Sequence, residues 1–136
     1  MKIALIIFLV FMTGLTHAGV IELTIKNIPN SNGQIMIGIY NKAEGFTEVD
    51  KTFRNKTVPA KKGTMTIKIE GIPNGDYALS VFHDQNANGK LDKNFFGVPT
   101  EYYGFSNDAR GTFGPPDFSE CVVKVKGLAK TSLSLY

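Results

Sequence analysis

Gly71-Ile72-Pro73-Asn74-Gly75-Asp76-Tyr77-Ala78-Leu79-Ser80-Val81-Phe82-His83 reads as a turn that runs directly into a strand. Proline presets its own φ, while asparagine and glycine accept the bent backbone of a corner. From Tyr77 onward the pattern has a period of two, with Tyr77, Leu79 and Val81 on one face. A Pro-Asn-Gly-Asp-Tyr corner between strands is a feature of secreted sandwiches. Its glycine permits the turn, and its tyrosine fills the core and can return its hydroxyl to the backbone. The strand carries His83 and Asp84 to one end of a sheet.

The same period appears on either side. Ile21, Leu23 and Ile25 alternate with Glu22, Thr24 and Lys26, which predicts a half-buried strand. Pro29-Asn30-Ser31-Asn32-Gly33 is turn chemistry, and Ile35, Ile37 and Ile39 mark a second strand, expected to pair with the first as a hairpin or meander. Between Asn41 and Pro59 alternation fails. Phe46, Val49 and Phe53 recur there at helical spacing and predict a short helical turn laid on the sheet edge. Met65, Ile67 and Ile69 give another strand, Cys121, Val123 and Val125 another, and Leu133 and Leu135 close the chain. Short strands, frequent turns and no long helical pattern predict an all-β antiparallel sandwich of about seven strands. A structureless loop as long as residues 84–119 is uncommon in a compact domain and usually carries function.

Lys2, the apolar run from Ile3 to Met12 and Thr16-His17-Ala18 have the form of a secretory signal peptide, residues 1–18, cleaved after Ala18. The apolar run is shorter than the ~20 residues a membrane span needs. Residues 19–136 are then one exported domain, periplasmic or extracellular, with no membrane span. Cys121 is the only cysteine, so no internal disulfide can form and a zinc cluster lacks soft ligands. Its apolar neighbours point to an inert buried thiol. The formal charge of +3 is spread over scattered lysines and gives no concentrated basic stripe for nucleic acid.

The chemistry concentrates in Asp84-Gln85-Asn86-Ala87-Asn88-Gly89-Lys90-Leu91-Asp92. Oxygen-bearing side chains alternate, a glycine allows a sharp turn, and a second carboxylate follows. That order suits a calcium ion, which takes about six to eight oxygens in a flexible shell. The expected ligands are Asp84, Asn86 and Asn88 by side chain, Lys90 by its carbonyl and Asp92 directly or through water, with Glu101 available to complete the shell. Phe95 stands where a helix-loop-helix calcium site needs a bidentate glutamate, and the entering element is a strand, so that motif is excluded. An open site of this kind would suit affinities of ~0.1–1 mM, typical of extracellular modules. The competing reading is that Asp, Asn and Gly here are turn formers only.

His83, beside acidic groups at a strand end, raises a second possibility: a small hydrolase-like enzyme using His83 with Glu101 or Asp108. His17 falls in the signal segment, which leaves His83 without a second histidine. A lone histidine there is more often a hydrogen-bonded loop anchor. Beyond the loop, Phe95, Phe96, Tyr102, Tyr103, Phe105, Phe113 and Phe118 supply either a miniature core or a contact surface for a glycan, envelope component or protein. Most of the rings are expected to fold inward, with Tyr102 or Tyr103 exposed. The candidate surface comprises His83, Tyr102, Tyr103, Asn107 and Arg110.

The series His-Asp-x-Asn-x-Asn-Gly-Lys-Leu-Asp from His83, Gly97-Val98-Pro99-x-Glu101-x-Tyr103-Gly104-Phe105-Ser106-Asn107, and Phe113-Gly114-Pro115-Pro116-x-Phe118 resembles the bacterial exported family known as domain of unknown function 2141. The resemblance covers the whole of residues 19–136. It implies a small immunoglobulin-like sandwich, similar to transthyretin-like and collagen-adhesin B-type domains, with one long ordered loop. It implies no activity. Fold analogy alone transfers no role, so three readings stand: a non-enzymatic calcium-dependent binding module, the His83 enzyme, and a purely structural envelope protein.

Overall fold

The computed structural model describes residues 18–136, so the expected signal segment lies, apart from Ala18, outside the described residues. Eight strands form: β1 (Gly19–Ile28), β2 (Gln34–Tyr40), β3 (Arg54–Pro59), β4 (Gly63–Ile72), β5 (Gly75–Asp84), β6 (Tyr103–Phe105), β7 (Val123–Val125) and β8 (Leu128–Ser134). They make two sheets of an all-β sandwich. One has the order β4-β1-β8; the other has the order β3-β2-β5-β6, with β7 also paired to β5. Among the described residues no helix is long and apolar enough to cross a membrane.

The alternation read from the sequence sets which faces meet. Ile21, Leu23 and Ile25 of β1, Ile35, Ile37 and Ile39 of β2, Leu79 and Val81 of β5, and Leu133 near the chain end are all buried in one core. Each such side chain contributes about 1.5–3 kcal/mol by leaving water. The tyrosine corner forms as expected: Tyr77 is buried and its hydroxyl donates to the Pro73 carbonyl at 2.7 Å.

The expected β1–β2 hairpin does not form. β1 pairs antiparallel with β4 and parallel with β8, while β2 pairs with β3 and β5. The isoleucine faces of β1 and β2 therefore meet across the core, one from each sheet, instead of lying side by side in one sheet. Asn27, at φ 64, marks the irregularity in β1 between Ile25 and Ile28, and its Nδ2 donates to the Leu135 carbonyl at 2.7 Å. The helical turn expected from Phe46, Val49 and Phe53 shrinks to one 3-10 turn at Val49–Lys51, and the polar strand β3 follows it. Cys121 ends a 3-10 turn, Phe118–Cys121, instead of opening a strand. It is buried, and burial pushes its thiol pKa up to about 11.

One edge of β5 is divided between two short strands. Gly75–Tyr77 pairs with β7, and Ser80–Phe82 pairs with β6. Ser106 closes the gap: its buried hydroxyl accepts from the Leu79 amide at 3.0 Å and donates to the Cys121 carbonyl at 2.5 Å. Ser106→Ala leaves two buried backbone groups without partners. It is expected to destabilise the fold by ~1–3 kcal/mol, measurable by chemical denaturation, whereas a surface change such as Ser119→Ala should have little effect.

Candidate functional site

The end of β5 is seated in the connection between β1 and β2. Asn30 Nδ2 donates to Gln85 Oε1 at 3.1 Å, and Gln34 Nε2 donates to Asp84 Oδ2 at 2.8 Å. His83 lies 2.6 Å through Nε2 from the Asn32 carbonyl. A carbonyl only accepts, so Nε2 carries the hydrogen, and Nδ1 is buried without a partner among the described residues. Gly33, at φ +65, sits so close to the backbone of Asp84 and Gln85 that a β-carbon would overlap both.

From this seat residues 84–92 fold as nested side-chain turns. The fully buried Asp84 carboxylate accepts the Asn88 amide through Oδ1 at 3.2 Å and the Gly89 amide through Oδ2 at 2.8 Å. Asn86 Oδ1 accepts the Asn88 amide at 3.3 Å, and Asn88 Oδ1 accepts the Lys90 amide at 2.9 Å. Ala87 and Gly89 adopt positive φ to make this path. The other ends of the two carboxamides converge: Asn86 Nδ2 reaches Asp92 Oδ2 at 2.6 Å, and Asn88 Nδ2 reaches Asp92 Oδ1 at 2.8 Å. The bond from Asn88, then that from Asn86, holds the Asp92 carboxyl below its ordinary pKa.

Glu101 closes the loop from beneath. Its buried carboxylate accepts the Gln85 amide at 2.7 Å and the Asp92 amide at 3.0 Å, tying the two ends together. Among the described residues no group of three or more His, Cys, Asp or Glu side chains gathers as metal sites often require. The loop's side chains, two carboxylates and two carboxamides, carry the hard oxygens that suit calcium, but as folded here the carboxamide oxygens accept backbone amides and their nitrogens face Asp92.

The candidate surface residues separate. His83 is fully buried and so presents nothing to a ligand; its ring makes no hydrogen bond to Glu101 or Asp108. Asn107 is held against β8 and the end of the 3-10 turn at Phe118–Cys121, where its Nδ2 donates to the Val122 carbonyl at 2.8 Å and its amide donates to Thr131 Oγ1 at 2.9 Å. Arg110 stacks 3.8 Å above the Tyr136 ring and reaches Asp108 at 3.8 Å. Tyr103 packs between Tyr136 and Phe105. Tyr102 is exposed, as expected, but the rings that stand clear of the protein are Phe95, Phe96 and Phe113. The inward folding expected of most rings therefore fails for these three. Phe46, Phe105 and Phe118 do form the miniature core.

The loop also walls a cleft of about 640 Å³ on the outer face of the larger sheet. Gly38 and Ser80 make a shallow floor, Phe82 and Tyr103 give aromatic walls, and Lys90 and Leu91 bring the loop to its rim. The alternation that buries Ile37 and Val81 necessarily turns Gly38, Ser80 and Phe82 outward. Period-two reading held that information, but only the pairing of β2 with β5 and β6 places these residues side by side.

The fold and the site together define a small β-sandwich whose longest connection is an ordered, oxygen-rich loop. A family model described as "Uncharacterized protein conserved in bacteria (DUF2141)" matches residues 23–133, and the chain belongs to this family. No curated protein and no solved structure matches it.

Proposed function

We propose that the protein is an exported, non-enzymatic binding module in which a calcium ion held by residues 84–92 fixes one wall of the cleft, and that the cleft takes a glycan. The observation that carries this reading is the gathering of the Asp84, Asn86, Asn88 and Asp92 side chains in one short loop, where the Asn86 and Asn88 nitrogens donate to Asp92. Ion binding would replace those two bonds by turning the carboxamide oxygens toward the ion. Asp84, Asn86, Asn88, Asp92 and the Lys90 carbonyl would hold the ion, which would supply positive charge between two carboxylates. Glu101, which holds the Gln85 and Asp92 amides much as Asp84 holds those of Asn88 and Gly89, would shape the loop and could complete the shell. Phe82 and Tyr103 would take the apolar face of a sugar ring, and Ser80, Asn55 and Lys90 its hydroxyls or acidic groups.

Calcium titrated calorimetrically into chelator-treated protein is expected to bind with Kd ~0.1–1 mM. Asp84→Ala and Asp92→Ala should each abolish the heat while far-ultraviolet circular dichroism stays that of the sandwich. Tyr103→Ala should leave calcium binding intact and weaken retention on glycan arrays run with calcium. Loss of the whole fold in Asp84→Ala would count against a separable loop. No heat in the parent protein would select the purely structural reading.

A further inference from the structure

Beyond the cation loop the chain makes a second, smaller projection whose tip, Asn94 to Val98, lines neither the cleft nor the ion loop, although Lys90 and Lys93 at its base also line the cleft. Lys93 and Pro99 pair as an isolated antiparallel bridge. Within it the Asn94 amide donates to the Val98 carbonyl at 2.8 Å, and the Gly97 amide donates to the Asn94 carbonyl at 3.0 Å. Asn94 Oδ1 accepts the Phe96 amide at 2.9 Å and the Val98 amide at 3.1 Å. Thr100 anchors the base, its amide 2.8 Å and its hydroxyl 3.1 Å from the Asp92 carbonyl. The tip is thus held in shape by hydrogen bonds centred on Asn94, yet its side chains are apolar and in water: Phe95 is 97%, Phe96 85% and Val98 54% exposed. The two rings meet edge to face at 5.6 Å, forming one continuous knob.

Two adjacent phenylalanines on a preformed turn lose apolar surface to water without any gain to the sandwich, so an external apolar phase is the natural partner. Charge narrows the choice. Lys90 and Lys93 flank the tip, and among the described residues neither is in an ion pair. Asp92 lies between them, but its carboxylate is engaged by Asn86 and Asn88. A knob with no concavity of its own, preceded in the chain by two lysines outside any ion pair among the described residues, fits a lipid headgroup region better than a protein pocket. Aromatic rings settle at the membrane interface, and each lysine is drawn by anionic lipid. We infer that residues 93–99 are a membrane-surface anchor, inserting Phe95 and Phe96 into an anionic bilayer with Lys90 and Lys93 on its phosphates. This does not depend on the cation reading.

The chain contains no tryptophan, so Phe96→Trp places a single reporter at the tip. On addition of phosphatidylglycerol–phosphatidylethanolamine vesicles, with chelator present, its emission is expected to shift to the blue and to be quenched by brominated acyl chains. Pure phosphatidylcholine vesicles should give little shift. Sedimentation with the anionic vesicles should weaken about tenfold or more in Phe95→Ser/Phe96→Ser. It should weaken about tenfold in Lys90→Gln/Lys93→Gln, and in the parent protein at high salt. Both double variants should keep the parent's circular dichroism, since these side chains stand clear of the core. Absence of a blue shift with anionic vesicles would overturn the proposal. So would sedimentation that survives the serine changes, or a lipid-free, concentration-dependent dimer that those changes abolish, which would make the knob a self-association contact. Failure of calcium binding, measured separately, would leave this result untouched.

Discussion

Gly33→Ala is expected to destabilise the protein by about 3–4 kcal/mol, the largest effect of any single methyl group added to the site. Two causes combine. The residue has φ +65, a conformation that costs a non-glycine residue ~1–2 kcal/mol, and the new β-carbon would overlap the Asp84 carbonyl and the Gln85 backbone. The overlap is with main chain, so no rotamer change relieves it. Gly97 sets the scale for strain alone: it has φ +77 with open space around it, and Gly97→Ala should cost no more than ~1–2 kcal/mol. Gly33→Asn tests the division, because asparagine accepts positive φ more readily but still carries a β-carbon. Urea denaturation of the three variants should rank Gly33→Ala and Gly33→Asn together, well below Gly97→Ala. Recovery of stability in Gly33→Asn would show that close packing on Asp84 is not what holds this turn.

Glu101→Ala is the second. Removing the carboxylate strands the Gln85 and Asp92 amides, each of which now makes a charge-assisted hydrogen bond. With ~1.5–3 kcal/mol for a hydrogen bond to a charged group, the two ends of the loop should lose about 3 kcal/mol of local order or more. The loss is local because neither amide belongs to the sheet ladder around the core. Hydrogen exchange should accelerate by about a hundredfold at Gln85 and Asp92, while the amides of β1, β2 and the middle of β5 keep their protection. Glu101→Gln, which retains one acceptor oxygen, should fall between. Equal acceleration across the core strands would mean that the loop and the sandwich open as one unit. Under the cation reading, Glu101→Ala weakens calcium binding without abolishing it, in contrast to Asp84→Ala.

What the sequence determined by itself follows from short-range chemistry. Alternation at Ile21–Ile25, Ile35–Ile39 and Tyr77–Val81 specifies strands and their buried faces, because a strand has only two sides. The Pro73-Asn74-Gly75 corner and the tyrosine that returns to Pro73 are equally local. The oxygen-rich order from Asp84 to Asp92 was readable, since nested side-chain turns bond residues only two to five positions apart.

Partners distant in sequence were decided by tertiary structure alone. Periodicity says that β1 and β2 each bury a face; it does not say whether they lie side by side or across the core. The pairings of β1 with β4 and β8, and of β2 with β3 and β5, put them in opposite sheets. The seat formed by Asn30, Asn32, Gly33 and Gln34 joins positions about fifty residues from His83, Asp84 and Gln85, so their turn chemistry was visible while their purpose was not. β3 and β6 were hidden because β3 is a polar edge strand and β6 has three residues, too few for a period to declare itself. The aromatic count in the loop was plain. Which rings fill the small core and which stand in water depends on the direction of each turn, and Asn94 and Gly97 fix that direction only once the hairpin has closed.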